Sequence, residues 1–198
     1  MMKPVIGVLF RNSKSESGLN ISYVYSDILD AVYNSGGLAI GVSMNEIYSY
    51  IDICDGFILQ GGDEVDILDI KIIELLYNKD IPLLGICLGM QEMAIFKNGT
   101  IKDVINHKGS IHEIMIDNNS LLYEIIGCSK IKVNSRHKSA IIKTDLVVGA
   151  VSIDGVIEEV EDSNHKFFVG VEWHPESIYN GDIYSKKLFD YFVKKCHN

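Results

Sequence analysis

The sequence predicts an α/β fold: a mostly parallel sheet flanked by helices, with antiparallel strands added in the C-terminal half. Three observations predict it. VIGVLF (5 to 10), DGFILQGGD (55 to 63) and IPLLGIC (81 to 87) are β-rich apolar runs of the kind a strand buried on both faces requires. Segments with helical spacing separate them, so the connections are right-handed crossovers between parallel strands. Past residue 110 the chain turns into short strand-like pieces, IHEIMI, KIKV, AIIK, LVVGAVS, VIEEVED and KFFVGVEW, joined by turn signals such as Asp154-Gly155.

Taken in order, VIGVLF is the first strand and RNSKSESGLN a polar loop after it. Tyr25, Ile28, Leu29, Val32 and Tyr33 recur at helical spacing and predict a helix over 21–34, stopped by Gly36-Gly37. LAIGV is the second strand. DGFILQ is the third, VDILDIKIIELLYN a helix, IPLLGIC the fourth strand, and a helix over 184–195 closes the chain. In an open sheet of this kind the ligand crevice lies beyond the carboxyl ends of the strands, and the loops at 60–63 and 85–89 open there.

With 198 residues, 47% of them hydrophobic, the chain is read as one domain over 1–198. MMKPVIGVLF lacks the apolar run and cleavage site of a secretory signal, and no stretch approaches the roughly 20 apolar residues that span a membrane, so a cytoplasmic location is expected. A net charge of −9 argues against nucleic-acid and anionic-membrane partners. Cysteines 54, 87, 128 and 196 show neither a CxxC pair nor metal-ligand spacing with histidine, so no metal, cofactor or disulfide is expected. Cys54, Cys128 and Cys196 are read as reduced thiols, structural or incidental.

Cys87 differs. In GICLGM a buried strand runs into a helix through a cysteine, with Gly85 and Gly89 two positions away on either side. A sharp strand-to-helix turn strains its central residue, and small neighbours keep the turn free of clashes. The thiol then stands at the helix N-terminus, whose N–H groups face a developing anion and whose field is expected to lower the thiol pKa. An isolated GxCxG is more often a core cysteine among packing glycines; VGVEWHPES (169 to 177) changes that balance. It ends a strand on His174 followed by Glu176. A thiol nucleophile needs an imidazole to take and return its proton and a carboxylate to fix the ring. Two apart on an extended segment, the two side chains point the same way. Gly61 and Gly62, at the end of another strand, allow a backbone N–H to approach substrate as a second oxyanion donor beside that of Leu88.

Together QGGDE, GICLGMQ, VNSRH, DGVIE and EWHPE, in that order, resemble the class I glutamine amidotransferase superfamily, and within it the γ-glutamyl hydrolase branch, over nearly the whole chain. The resemblance implies a Cys87, His174, Glu176 triad that attacks a γ-glutamyl amide through a thioester and releases glutamate. Gly62 and Leu88 would form the oxyanion hole. Gln91, Asn134 and Ser135 would grip the glutamyl α-amino and α-carboxylate groups, with Gly61 and His137 in the same site. Members that cleave γ-glutamyl-aminobutyrate usually carry histidine and glutamine after VNSxH, where this chain has Lys138 and Ser139. The chain also looks shorter than is usual for the branch.

Arg11, Lys14, Arg136 and Lys138 can place positive charge around the cleft, which suits phosphate. With the family's range they favour a γ-glutamyl conjugate whose amine carries phosphate, such as γ-glutamyl-CDP-amidate, a precursor of capsule phosphoramidate. Three readings stay open: the aminobutyrate conjugate, a glutaminase that passes ammonia to a separate synthetase partner, and a non-catalytic binding protein. A homodimer is compatible with each.

Overall fold

The computed structural model describes residues 2–197. Its main sheet has nine strands in the order β4 (Leu38–Val42), β1 (Val5–Leu9), β5 (Gly56–Leu59), β6 (Leu83–Ile86), β13 (Phe168–Val171), β12 (Ile157–Glu161), β11 (Val147–Ser152), β8 (Ser110–Ile116) and β9 (Lys130–Ser135). The first five are parallel, the other four antiparallel additions. Two separate antiparallel pairs complete the strands: the hairpin of β2 (Arg11–Lys14) with β3 (Asn20–Tyr23), and β7 (Thr100–Asp103) with β10 (Ser139–Lys143).

Helices cover both faces, which is why the central strands β5, β6 and β13 are buried along their length. On one face α1 (Ser26–Asn34), α5 (Leu121–Ile126) and α7 (Ile183–Lys195) pack Ile28, Ile126, Phe189 and Phe192 against Ile6, Ile58 and Val169. On the other, α2 (Ile47–Ile51), α3 (Ile67–Asn78) and α4 (Leu88–Phe96) pack Ile47, Ile73, Leu76, Met90 and Met93 against Phe57, Leu83 and Phe168. α6 (Pro175–Ile178) is a single turn after β13. Caps hold the ends. Asp66 accepts from Leu68 N–H at 2.8 Å, Asp182 from Ser185 N–H at 2.6 Å, and Glu161 caps α5 through the N–H groups of Leu121 and Leu122.

The fold class is as the sequence predicts, but its first crossover differs. The expected polar loop is the β2–β3 hairpin, and the helix starts at Ser26, five residues late. Tertiary bonds override the helical spacing: Gln60 accepts from the N–H of Tyr25 at 3.0 Å and donates to Tyr23 O at 2.9 Å, pinning 23–25 in an extended form. Of the expected stripe only Ile28 and Val32 are buried, joined on that face by Ala31.

β12 carries an unusual load of acid. Glu159 is fully buried, and burial together with the neighbouring Glu161 raises its pKa well above the carboxylate range. A folded-state pKa raised above the unfolded value contributes stability that is present below about pH 4.5 and lost as pH rises toward the folded pKa. Glu159→Gln is therefore expected to melt above wild type at pH 8, with the gap closing by pH 4. Equal melting temperatures at both pH values would contradict a neutral, buried Glu159.

Candidate active site

β6 ends at Ile86, and Cys87 stands between it and α4 with φ 53° and ψ −107°, a left-handed conformation that only an over-determined site holds. Its N–H donates to Val171 O at 2.8 Å and its carbonyl accepts from Gln91 N–H at 3.1 Å, so strand and helix both grip the turn. The flanking glycines have specific reasons. A Cβ on Gly85 would lie 2.4 Å from Met93 Sδ and 2.8 Å from the backbone of Gly89 and Met90. One on Gly89 would lie 2.3 Å from Leu59 O. α4 folds back onto β5 and β6 at a distance that admits no side chain at either position.

At the end of β13, His174 N-caps α6 and its Nδ1 meets Glu176 Oε1 at 2.7 Å. The expected extended presentation is replaced by a helical turn that Pro175 opens, which brings Glu176 back onto the ring. With Nδ1 engaged, Nε2 is the nitrogen free for other chemistry. Gly61 leaves room beside both the ring and the elbow: a Cβ there would be 2.9 Å from His174 Cε1 and 3.7 Å from Cys87 Cβ. Cys87, His174, Glu176, Gly61 and Gly62 share one cavity of about 210 Å³.

Asn134 corrects an expectation. Its amide clamps the His174 backbone in both directions, Nδ2 donating to His174 O at 3.0 Å and Oδ1 accepting from His174 N–H at 3.0 Å. An amide so engaged holds the histidine rather than a glutamyl group.

The thiol is also not as expected. Burial, then the charge of Glu172, push the Cys87 pKa up, and the Leu88 N–H directed at it offsets only part of this. A buried helix N-terminus does not outweigh desolvation here. Burial thus favours the thiol over the thiolate, which suits a base that takes the proton as the sulfur attacks. Glu172 lies one residue after β13, fully buried with a pKa raised well above its usual range by that burial, and it accepts from Gln91 Nε2 at 2.5 Å. Sequence reading missed Glu172, whose signal was an acid within the apolar run VGVEW.

Arg11 is a further correction. Its guanidinium pairs with Asp69 and with Glu92 at 2.9 Å, and it donates to Gln60 O at 2.7 Å and Gly61 O at 3.3 Å. Its side chain is 11% exposed. Every edge of the fork is used, so Arg11 fixes the 60–62 loop against α3 and α4 instead of waiting for phosphate. Gln60 adds to that anchor by donating to Leu9 O at 2.8 Å.

A larger cavity of about 710 Å³ opens beside the thiol, walled by Gly62, Leu88, Gln91, Lys108, Arg136 and Lys138. His137 and Ser139 complete that wall, and Asp63, Glu64 and Asp103 add acids at its rim. Arg136 and Lys138 are exposed; Lys14 is exposed at the end of β2. Gln91 spends its amide donors on Glu172 and on Ser139 O at 2.9 Å. Ser135 is buried with its hydroxyl unpartnered. Burial, opposed by the Ser139 carbonyl, lowers the His137 pKa to about 4 and keeps the ring neutral.

Known proteins resemble the chain in sequence and in fold. The family model of Peptidase C26 matches residues 63–176. The γ-glutamyl-γ-aminobutyrate hydrolase PuuD of Escherichia coli is 27% identical over an alignment of 243 residues covering 100% of this chain and 95% of the enzyme. That alignment exceeds the 198 residues here, so the enzyme carries segments this chain lacks. Among solved structures, the glutaminase domain of Trypanosoma brucei CTPS with bound acivicin superimposes with a TM-score of 0.76 at 16% identity, over 97% of this chain and 94% of that one. A glutamine amidotransferase of Thermotoga maritima gives 0.74 at 12% identity, covering 100% of both chains. These two show the fold.

Proposed function

The chain belongs to the Peptidase C26 family, and on that footing we propose that it is a cysteine hydrolase of γ-glutamyl amides, with Cys87 as nucleophile and His174 and Glu176 as its base and orienting acid. One observation carries the reading: the strained elbow presents Cys87 beside the His174–Glu176 pair, a Cβ on Gly61 would stand within 4 Å of both Cys87 and His174, and all three side chains line a shared cavity.

In this mechanism Sγ attacks the γ-carbonyl as His174 Nε2 takes the thiol proton, and Glu176 steadies the imidazolium. The N–H groups of Gly62 and Leu88 hold the oxyanion. His174 returns the proton to the departing nitrogen, which leaves a γ-glutamyl thioester on Cys87. Water, deprotonated by the same nitrogen, cleaves it to glutamate and restores the thiol. Asn134, through its backbone clamp, positions the histidine. Asn134→Ala is expected to lower kcat about tenfold with KM little changed. An unchanged kcat would take the clamp out of the mechanism.

For the leaving amine we propose a phosphate-bearing group, most specifically γ-glutamyl-CDP-amidate, hydrolysed in the cytoplasm to glutamate and the cytidine diphosphoramidate of capsule biosynthesis. The support is the 710 Å³ cavity that runs from Cys87 past Gln91 to Lys108, Arg136 and Lys138, larger than a glutamyl group fills. Lys138 and Ser139 after His137 speak against the aminobutyrate conjugate named for the E. coli relative. A second reading, a glutaminase feeding a separate synthetase, draws on the likeness to the CTPS glutaminase domain.

Glutamate release from L-glutamine, γ-glutamyl-aminobutyrate and the nucleotide conjugate, side by side, separates these. The nucleotide conjugate is expected to give the highest kcat/KM, with Lys138→Ala raising its KM several-fold and leaving that for glutamine alone. Equal, weak turnover of all three favours the glutaminase; turnover of none defeats the hydrolase.

A further inference from the structure

A cluster of histidines and acids lies behind the large cavity, and the reaction above does not use it. His107 precedes β8, His112 is on it, and Glu158 is on β12. Glu158 is the extra residue of a bulge, since Ala150 pairs with Glu159 and Val151 with Ile157, and a bulge re-aims its side chain. We propose that His107, His112 and Glu158 bind a divalent transition-metal ion of the zinc class.

The geometry favours a metal. The three ligand atoms lie within 4.8 Å of one another. His112 Nε2 is 2.8 Å and His107 Nδ1 3.6 Å from Glu158 Oε1, bracketing the roughly 3.3 Å between neighbouring ligands of a tetrahedral zinc site. Glu158 is fully buried, and its other oxygen has no hydrogen-bond partner. Its ion-pair partners among the described residues are His112, His107 and His137, each charged only when protonated. A carboxylate so placed calls for a cation.

The surroundings are those of a ligand set. Behind His107, Nε2 meets Asp154 Oδ2 at 3.0 Å, and Ser152 holds Asp154 through a 2.5 Å hydrogen bond. A carboxylate on the far nitrogen is the usual support of a metal-bound histidine, and it turns Nδ1 inward as the bare nitrogen. His137 donates from Nδ1 to Ser139 O at 3.0 Å, so its Nε2 is also bare, 3.2 Å from His107 Nδ1. Without a metal those two nitrogens need a proton between them. Asp154 is 59% exposed at the side chain, which marks the side from which an ion would enter. The bound ion would tie the 104–110 segment, which supplies Val104 and Lys108 to the cavity wall, onto β12.

The test uses the full chain, stripped with chelator and dialysed against zinc, with cobalt(II) as the spectroscopic probe. Stoichiometric zinc uptake is expected, with a rise in melting temperature and a visible cobalt band. Asp154→Asn, at an exposed position, should weaken binding about 10- to 100-fold. His112→Ala and Glu158→Gln should abolish it, while Cys87→Ala keeps it and the cobalt spectrum shows no thiolate band. Absence of uptake at micromolar free zinc overturns the site, as does uptake that survives Glu158→Gln and disappears in Cys87→Ala.

Discussion

Cys87→Ala is expected to lower kcat for glutamate release by at least about four orders of magnitude, with the melting temperature within a few degrees of wild type. The thiol is the only atom the proposed mechanism makes covalent, and no other cysteine lines either cavity at the elbow. Burial favours the thiol over the thiolate, and in the proposed mechanism His174 takes its proton during attack. Removing the sulfur therefore removes the path and not just its rate. Alanine keeps a Cβ in the φ 53° conformation, whereas glycine relieves it. Cys87→Gly should accordingly be as inactive as Cys87→Ala but about 1 kcal/mol more stable. Comparing the two variants isolates the strain stored at the elbow; equal stability would mean that φ 53° costs nothing there.

Gly89→Ala has the largest expected effect on the fold. The new Cβ would stand 2.3 Å from Leu59 O and 2.9 Å from Leu59 C, backbone atoms of a strand buried on both faces. No rotamer change relieves such a contact, so α4 has to lift from β5, at a cost on the order of 3 kcal/mol or more. Activity is expected to fall as well, because α4 carries the Leu88 N–H that the proposed mechanism places in the oxyanion hole. Gly181→Ala is the control, since a Cβ there has nothing within 4 Å. A Gly89→Ala protein that melts with wild type would show that the helix and strand are not in the tight contact described.

Much of the site is local in sequence and was legible there. Gly85, Cys87 and Gly89 share one turn, and His174 and Glu176 lie two residues apart, so spacing alone brings each group together. What the sequence hid was assembled across the fold. Arg11 reaches Glu92 from 81 residues away, and its partner Asp69 sits on a helix that otherwise reads as amphipathic. A lone arginine at a strand end looks like a ligand group until its carboxylates are placed. Asn134 likewise lies 40 residues from the histidine it clamps. His107, His112 and Glu158 meet only because a bulge turns Glu158 toward β8, and no spacing rule encodes a bulge. The β2–β3 hairpin was missed because Gln60, one residue past β5, pins its end.

Cys87 can be tested directly by treating the reduced protein with a γ-glutamyl chloromethyl ketone and mapping the labelled peptide by mass spectrometry. The proposed mechanism predicts a single γ-glutamyl adduct on Cys87, formed in competition with glutamine and lost when His174 is replaced by alanine. A label on Cys54, Cys128 or Cys196 instead, or none at all on a folded protein, would contradict it.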